Sequence, residues 1–479
     1  MSKNNLFVKT HIPRLDEIIP GFPRGGLILV SGMPGSGKTI FGMSYLYHGA
    51  VKGGESGLYV SLFEDRERFL QISNRLGLDF ERLMDEGLVE HMWLTATLEA
   101  GVASVINGII ERVKSLGARR LVIDSFTALK QSIKDLSEAR ILLQTIISRI
   151  FRELKCTTIL IKEGETPAEG RLEFEEYVAD AVINLKKKYL ENRPLRILTI
   201  EKLRGAELPH PRTIYTIQNG IRVLTPFTPI KPWEIPRLRL PEGWPPPDPR
   251  EAYTTGIPDL DREIGGYPQG STILLEIDPK LTPLEYSMIF LPTVVSFIFK
   301  GRKWMILPSS GVSPNLIESM LKPYGIDKQK FIESSRIFYE KYVPIEKPPN
   351  IMEIEPEPAE TAGRKIIEFA LELMAKTGKP PIMVIGVDRV VRLGGEEAIS
   401  QLAVGQDCVR AYGELMIWLL KPTRPWVVER FAPIADIHLK VTKLHGCMLL
   451  YGVKPRTPLY AVQLDPERKI LIPNLIPIV

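Results

Sequence analysis

Residues 27–41 read LILVSGMPGSGKTIF. Gly32, Met33, Pro34, Gly35, Ser36, Gly37, Lys38 and Thr39 supply the pattern G-x-x-x-x-G-K-T between an apolar run and a helical pattern. Glycines at these spacings let the backbone curl so that its N–H groups face phosphate oxygens, and the following helix N-terminus favours an anion. Lys38 has the reach for β- and γ-phosphates, and the Thr39 hydroxyl suits Mg2+. A second apolar run, RRLVIDSFTAL, places Asp124 about 85 residues after the loop, where a carboxylate can hold a water on that metal. Transfer of a phosphoryl group to water also needs a group that orients the water. The run YVSLFED ends in two candidates, Glu64 and Asp65. ILTIEKLRGAE then offers Lys202 and Arg204, which alternate on one side of a strand and can converge on one anion.

These residues need buried strands to carry them. Apolar runs of four to six residues alternate with longer helical stretches such as 138–154, the pattern of parallel strands with crossover helices, each strand buried on both faces. The pattern occurs twice. IPRLDEIIPGFPRGGLILV (Ile12 to Val30) matches IPDLDREIGGYPQGSTILL (Ile257 to Leu275) without a gap. ARRLVIDSFTAL corresponds to PPIMVIGVDRVV, and VADAVINLKKKYL to IADIHLKVTKL. Between the halves, residues 226–249 contain nine prolines, which excludes a helix or a central strand and predicts an extended linker lying along a surface through Trp233 and Trp244. The expected domains are therefore 1–225 and 250–479.

Composition sets wider bounds. A chain of 479 residues is too long for one ordinary core. Its 44% hydrophobic and 25% charged content is that of a globular protein, and a net charge of +5 over this length does not call for nucleic acid or a membrane. Cys156, Cys408 and Cys447 have no metal or redox spacing and read as thiols in a reducing compartment. The N-terminal residues show no apolar signal region, and the longest apolar run, 286–299, is too short to span a bilayer. A cytoplasmic location is expected.

Taken in order, IPRLDEIIPGFPRG, SGMPGSGKT, YVSLFED, LVIDSFTAL, EYVADAVINL and EKLRG resemble the KaiC branch of the RecA-like ATPases, in an archaeal-type tandem form. The resemblance implies two RecA-like P-loop domains, each a mostly parallel twisted sheet flanked by helices. It also implies ATP and Mg2+ as ligands, slow hydrolysis, and assembly as a homo-oligomeric, hexameric ring. Lys202 and Arg204 would act on the nucleotide of a neighbouring subunit, and the water-positioning acid would be Glu64 with Asp65 beside it. The sequence departs from that family where Ala206 and Leu208 follow the KLRG motif.

In the second half, Pro283 stands opposite Lys38, Leu284 opposite Thr39 and Gly386 opposite Asp124, so the groups needed for Mg-ATP chemistry are gone. This half reads as a degenerate domain that holds the assembly together or presents a partner surface. KLHG (443–446) sits at a hairpin turn and reads as a coincidence. The counterpart of KLRG is nearer YGVKPR (451–456). Two rivals stand beside an ATPase serving an unidentified protein client. A DNA-acting recombinase or helicase is disfavoured by residues 163–176, which hold six Glu against one Arg where a pore loop should attract phosphates. The other rival is a scaffold gated by ATP without turnover. The basic hairpin 185–196 reads as a solvated surface, and the apolar tail ILIPNLIPIV reads as a segment that completes a sheet or docks locally.

Overall fold

The computed structural model describes residues 6–94, 102–131, 154–164, 174–227, 240–340, 348–354, 359–421, 425–465 and 470–479. Most of the helix expected over 138–154, residues 165–173 of the acidic segment, and Trp233 lie outside the described residues. The chain divides into two units. The first comprises Met1–Pro226, His445–Cys447 and Pro477–Val479, and the second Phe227–Leu444 and Met448–Ile476.

In the first unit a nine-stranded sheet is built from β1 (Leu27–Gly32), β2 (Gly57–Ser61), β3 (Val89–Trp93), β4 (Arg120–Asp124), β5 (Thr157–Glu163), β6 (Ala181–Leu190), β7 (Arg193–Leu203), β8 (Arg212–Thr216) and β9 (Arg222–Leu224). Their order is β9-β8-β7-β6-β1-β5-β4-β2-β3. The pairs from β6 through β3 are parallel, and β6 to β9 add an antiparallel extension. Alternation along β1 splits its side chains between two cores. Ile28 and Val30 pack with Phe41 of α1 (Lys38–Gly53), whereas Leu27 and Leu29 pack on the opposite face with Val105 and Ile109. A strand covered on both faces has no polar side to spare, which is why it reads as a continuous apolar run.

The second unit repeats the plan with β10 (Thr272–Ile277), β11 (Trp304–Leu307), β12 (Ser335–Glu340), β13 (Ile351–Ile354), β14 (Ile382–Gly386), β15 (Leu415–Leu420), β16 (Ile437–Leu444), β17 (Cys447–Lys454), β18 (Tyr460–Asp465) and β19 (Ile470–Pro477). Their order, β13-β12-β11-β14-β15-β10-β16-β17-β18-β19, is that of the first sheet with one extra edge strand, β13. The repeated IPxLD sequence has the same task in both. Asp16 accepts from the Thr10 and His11 amides, each at 2.9 Å, and Asp261 accepts from the Thr255 amide at 2.7 Å. In each copy the Thr hydroxyl then takes the amide two residues on, Ile12 at 3.2 Å and Ile257 at 3.1 Å. A second pair of aspartates closes the sheets: Asp180 accepts from the Leu27 amide at 3.0 Å and Asp436 from the Thr272 amide at 2.9 Å.

Part of the proline-rich segment is docked on the second unit. The Trp244 indole N–H donates to Gly256 O at 3.0 Å, and Asp248 receives Lys300 at 2.6 Å and Arg302 at 2.8 Å. Among the described residues no helix is long and apolar enough to cross a membrane.

Arg120, at the start of β4, is fully buried and pins the first unit. Its Nε meets Glu55 at 2.6 Å, and its terminal nitrogens donate to the carbonyls of Lys9, Thr10 and Tyr45 at 2.7, 2.9 and 2.9 Å. One side chain thus ties the N-terminal strap, α1 and the sheet. Replacing it leaves a carboxylate and three carbonyls without their donor, so Arg120→Met is expected to lose about 3–5 kcal/mol. Thermal and urea unfolding of the purified variant against the parent measure that loss.

Candidate functional site

The backbone of the loop between β1 and α1 departs from β1 in a shape that only glycine takes without strain at two points, Gly35 (φ 75°) and Gly37 (φ 95°). Met33 to Gly35 are exposed, whereas Ser36 and Lys38 are buried. The Lys38 ammonium lies along the loop and donates to Gly32 O at 2.8 Å and Met33 O at 3.2 Å. Burial lowers its pKa, opposed by the charges of Glu163 and Asp124. The Ser36 hydroxyl is buried in the loop without a hydrogen-bond partner.

At the carboxyl ends of the neighbouring strands the expected partners converge. Thr39 Oγ1 donates to Asp124 Oδ2 at 2.7 Å. The Tyr59 hydroxyl donates to the same oxygen, also at 2.7 Å. Burial raises the Asp124 pKa, and the hydrogen bonds from Thr39 and Tyr59 and the charge of Lys38 work against that rise. Ser61 is level with Asp124 in the β2–β4 register, so the chain leaving β2 carries Glu64 to the same end of the sheet. The Glu64 pKa is raised by burial and then by the Asp124 charge, and its Oε2 is buried without a hydrogen-bond partner.

The acid pair is divided in use. Asp65 is the N-cap of α2 (Arg66–Arg75), its carboxylate accepting from the Arg68 amide at 2.8 Å. Glu64 is the one with an open acceptor beside Asp124. Tyr59, which the sequence reading passed over, buttresses Asp124 from below. A tyrosine inside an apolar strand reads as core, and only the register of β2 against β4 reveals its hydroxyl's target.

Lys202 and Arg204 are placed elsewhere. Lys202 pairs with Val182 on β6, and Val182 is level with Leu29 on β1, three residues short of Gly32. At about 3.3 Å per residue this sets Lys202 roughly 10 Å back from the start of the loop of its own chain. There Lys202 donates to the carbonyls of Glu176 and Tyr177 at 3.1 and 2.9 Å, and Arg204 to Asp180 at 3.1 Å and Tyr177 O at 2.9 Å. The acidic segment is also partly accounted for internally. Glu176 is paired with Lys162 at 2.8 Å and Glu175 with Lys130 at 3.0 Å, and both carboxylates are buried. These two carboxylates are therefore satisfied within the chain.

In the second unit the equivalent turn is filled by its own carboxylates. Thr282 and Glu285 form a reciprocal cap on the helix Pro283–Phe299, and Lys443 meets Glu285 at 2.5 Å. Asp278 accepts from the Lys280 amide at 2.9 Å, the Thr442 hydroxyl at 2.9 Å and the Lys443 amide at 3.2 Å. Burial works to raise the pKa of Asp278 and Glu285, but these hydrogen bonds outweigh it and hold both below the usual carboxylate range. At the position of Asp124, Gly386 leaves no room for a side chain, since a Cβ there would lie 2.5 Å from the Ser309 backbone. His445 and Gly446 form the turn between β16 and β17, while Lys454, near the end of β17, donates to Ala435 O at 2.8 Å, much as Lys202 serves Glu176 and Tyr177.

A family described as "ATPase: KaiC" matches residues 8–227. Among curated relatives, "Circadian clock protein KaiC2" of Synechocystis sp. is 28% identical over 345 residues, 69% of this chain and 57% of that one. "Circadian clock oscillator protein KaiC" of Synechococcus elongatus is 31% identical over 229 residues, 45% of this chain and 44% of that one. The chain thus spans about half the length of these relatives. "Protein GvpD2" of Halobacterium salinarum is 24% identical over 489 residues, covering 95% of this chain and 96% of that one.

The Tyr59 hydroxyl holds the Asp124 carboxylate, the group expected to carry the metal. Tyr59→Phe removes one donor of roughly 1 kcal/mol, so the Mg2+ requirement for nucleotide binding should rise about fivefold. A titration of Mg2+ against a fluorescent ATP analogue measures the change, and an unchanged midpoint would show that Asp124 does not depend on that hydroxyl.

Proposed function

Residues 8–227 belong to the KaiC family of ATPases, and from that premise we propose that the first unit binds Mg-ATP and hydrolyses it slowly, as one subunit of a ring. The observation that carries the reading is the cluster of Thr39, Asp124 and Glu64 beside a glycine-shaped loop, with a buried, unpartnered acceptor on Glu64. The loop amides and Lys38 are suited to hold phosphate oxygens, and Thr39 with Asp124 to hold the metal. Bound Mg2+ supplies charge neutralisation on the phosphates. Glu64, raised in pKa by its burial, would take a hydrogen bond from the attacking water once ionised.

The placement of Lys202 and Arg204 behind their own loop supports a role on a neighbouring subunit's nucleotide, and hence a closed assembly. The hexamer follows from the family resemblance. The second unit, whose turn is occupied by Asp278 and Glu285, is read as a nucleotide-free platform. The tandem domains, 1–225 and 250–479 with the proline-rich segment between them, are part of this proposal, as is an unidentified protein client.

Native mass spectrometry in Mg-ATP should count six chains with six nucleotides. Glu64→Gln should keep ATP binding and lose hydrolysis by about 10²-fold, the usual worth of a positioned base. Hydrolysis by the parent should fall on the acid side at a pH above the ordinary carboxylate range, because Glu64 must be ionised to act. A parent that binds ATP without turning it over would instead favour the ATP-gated scaffold, and hydrolysis unchanged in Glu64→Gln would remove Glu64 from the chemistry. Mixing Lys38→Ala chains with Arg204→Ala chains should restore activity that neither has alone, and no recovery would remove the role between subunits.

A further inference from the structure

The phosphate loop is held from behind by two residues of the antiparallel extension. Arg196 of β7 donates to Gly35 O at 2.9 Å, and the Tyr215 hydroxyl of β8 donates to Ser36 O at 2.5 Å. Arg196 is 5% exposed and Tyr215 fully buried, and the guanidinium also reaches the Tyr215 oxygen. In a trans peptide the carbonyl and the next amide point to opposite sides. Holding the carbonyls of Gly35 and Ser36 therefore turns the amides of Ser36 and Gly37 to the inner side of the loop. There the Ser36 amide meets Met33 O at 3.1 Å.

Arg196 has a second attachment. Its Nε donates to the main-chain oxygen of Val479. Residues 477–479 group with the first unit, Ile478 is 1% exposed, and the Thr216 hydroxyl donates to Pro477 O at 2.8 Å. A buried guanidinium is costly unless each donor has an acceptor, so its orientation is set by the acceptors available. Without Val479 the Nε donor has to find another partner, and the group that grips Gly35 turns with it.

We propose that Arg196 is a positioning residue for the phosphate loop, and that docking of Pro477–Val479 on Arg196 and Thr216 sets the nucleotide affinity of the first unit. This rests on the reading of that unit as an ATP site.

The test is titration of the full chain with a fluorescent ATP analogue in Mg2+, for the parent, Arg196→Met, a chain ending at Ile476, and the two changes combined. Each single change should raise Kd about tenfold, the worth of one hydrogen bond to a charged group. The combination should be no weaker than either, because both act through one contact. A purely structural contribution from two separate sites would add instead. Parent-like affinity in the shortened chain overturns the inference, and so does additive loss. Should Arg196→Met fail to fold, the shortened chain and Thr216→Val carry the same comparison, with weakened binding supporting the inference and unchanged binding overturning it. A parent that binds no nucleotide would sink the ATP reading, an outcome visible before any variant is compared.

Discussion

A strand covered by side chains on both faces can present polar groups only at its ends, and at the carboxyl end of β1 the chain must turn at once into a helix. The first amides of that helix have no intrahelical acceptor and need an anion or a cap. Much else follows from how each unit meets that need. The first leaves the amides to a curled, glycine-shaped loop with Lys38 folded along it. The second supplies its own anions, Asp278 and Glu285, with the Lys443 amide on the first and its ammonium on the second. One fold therefore carries two electrostatic solutions at the same point, one a glycine-shaped loop with Lys38 along it and one satisfied by the unit's own carboxylates.

What the two units share shows which contacts hold the fold regardless of ligand. Asp16 and Asp261 organise the segment before the first strand, Asp180 and Asp436 lock the first strand's opening amide, and the strand order is repeated. None of these contacts touches the loop. The second unit keeps the sheet without the glycine-shaped loop because the two sets of residues sit at opposite ends of the strands.

Buried cations do much of the joining in the first unit. Arg120 satisfies its guanidinium with one carboxylate and three carbonyls, whereas Arg196 uses the Gly35 and Val479 main-chain oxygens. Guanidinium suits this work because its donors spread in a plane and remain charged when buried. Lysine serves shorter spans, as in the Lys162–Glu176 pair.

The sequence by itself determined the loop, the place of Asp124 at a strand end, the duplication, and the presence of Pro283, Leu284 and Gly386 where the first half has Lys38, Thr39 and Asp124. Each of these is written locally, in a motif of eight residues or in a pattern of apolar runs. Tertiary structure decided the rest. It separated Glu64 from Asp65 by spending one on a helix cap, brought the Tyr59 hydroxyl to Asp124, and set Lys202 and Arg204 behind their own loop. It buried Glu175 and Glu176 against lysines, and carried Val479 to an arginine 283 residues away. These depend on which strands become neighbours and in what register, which is fixed by two-sided burial of the whole sheet rather than by any short stretch of residues.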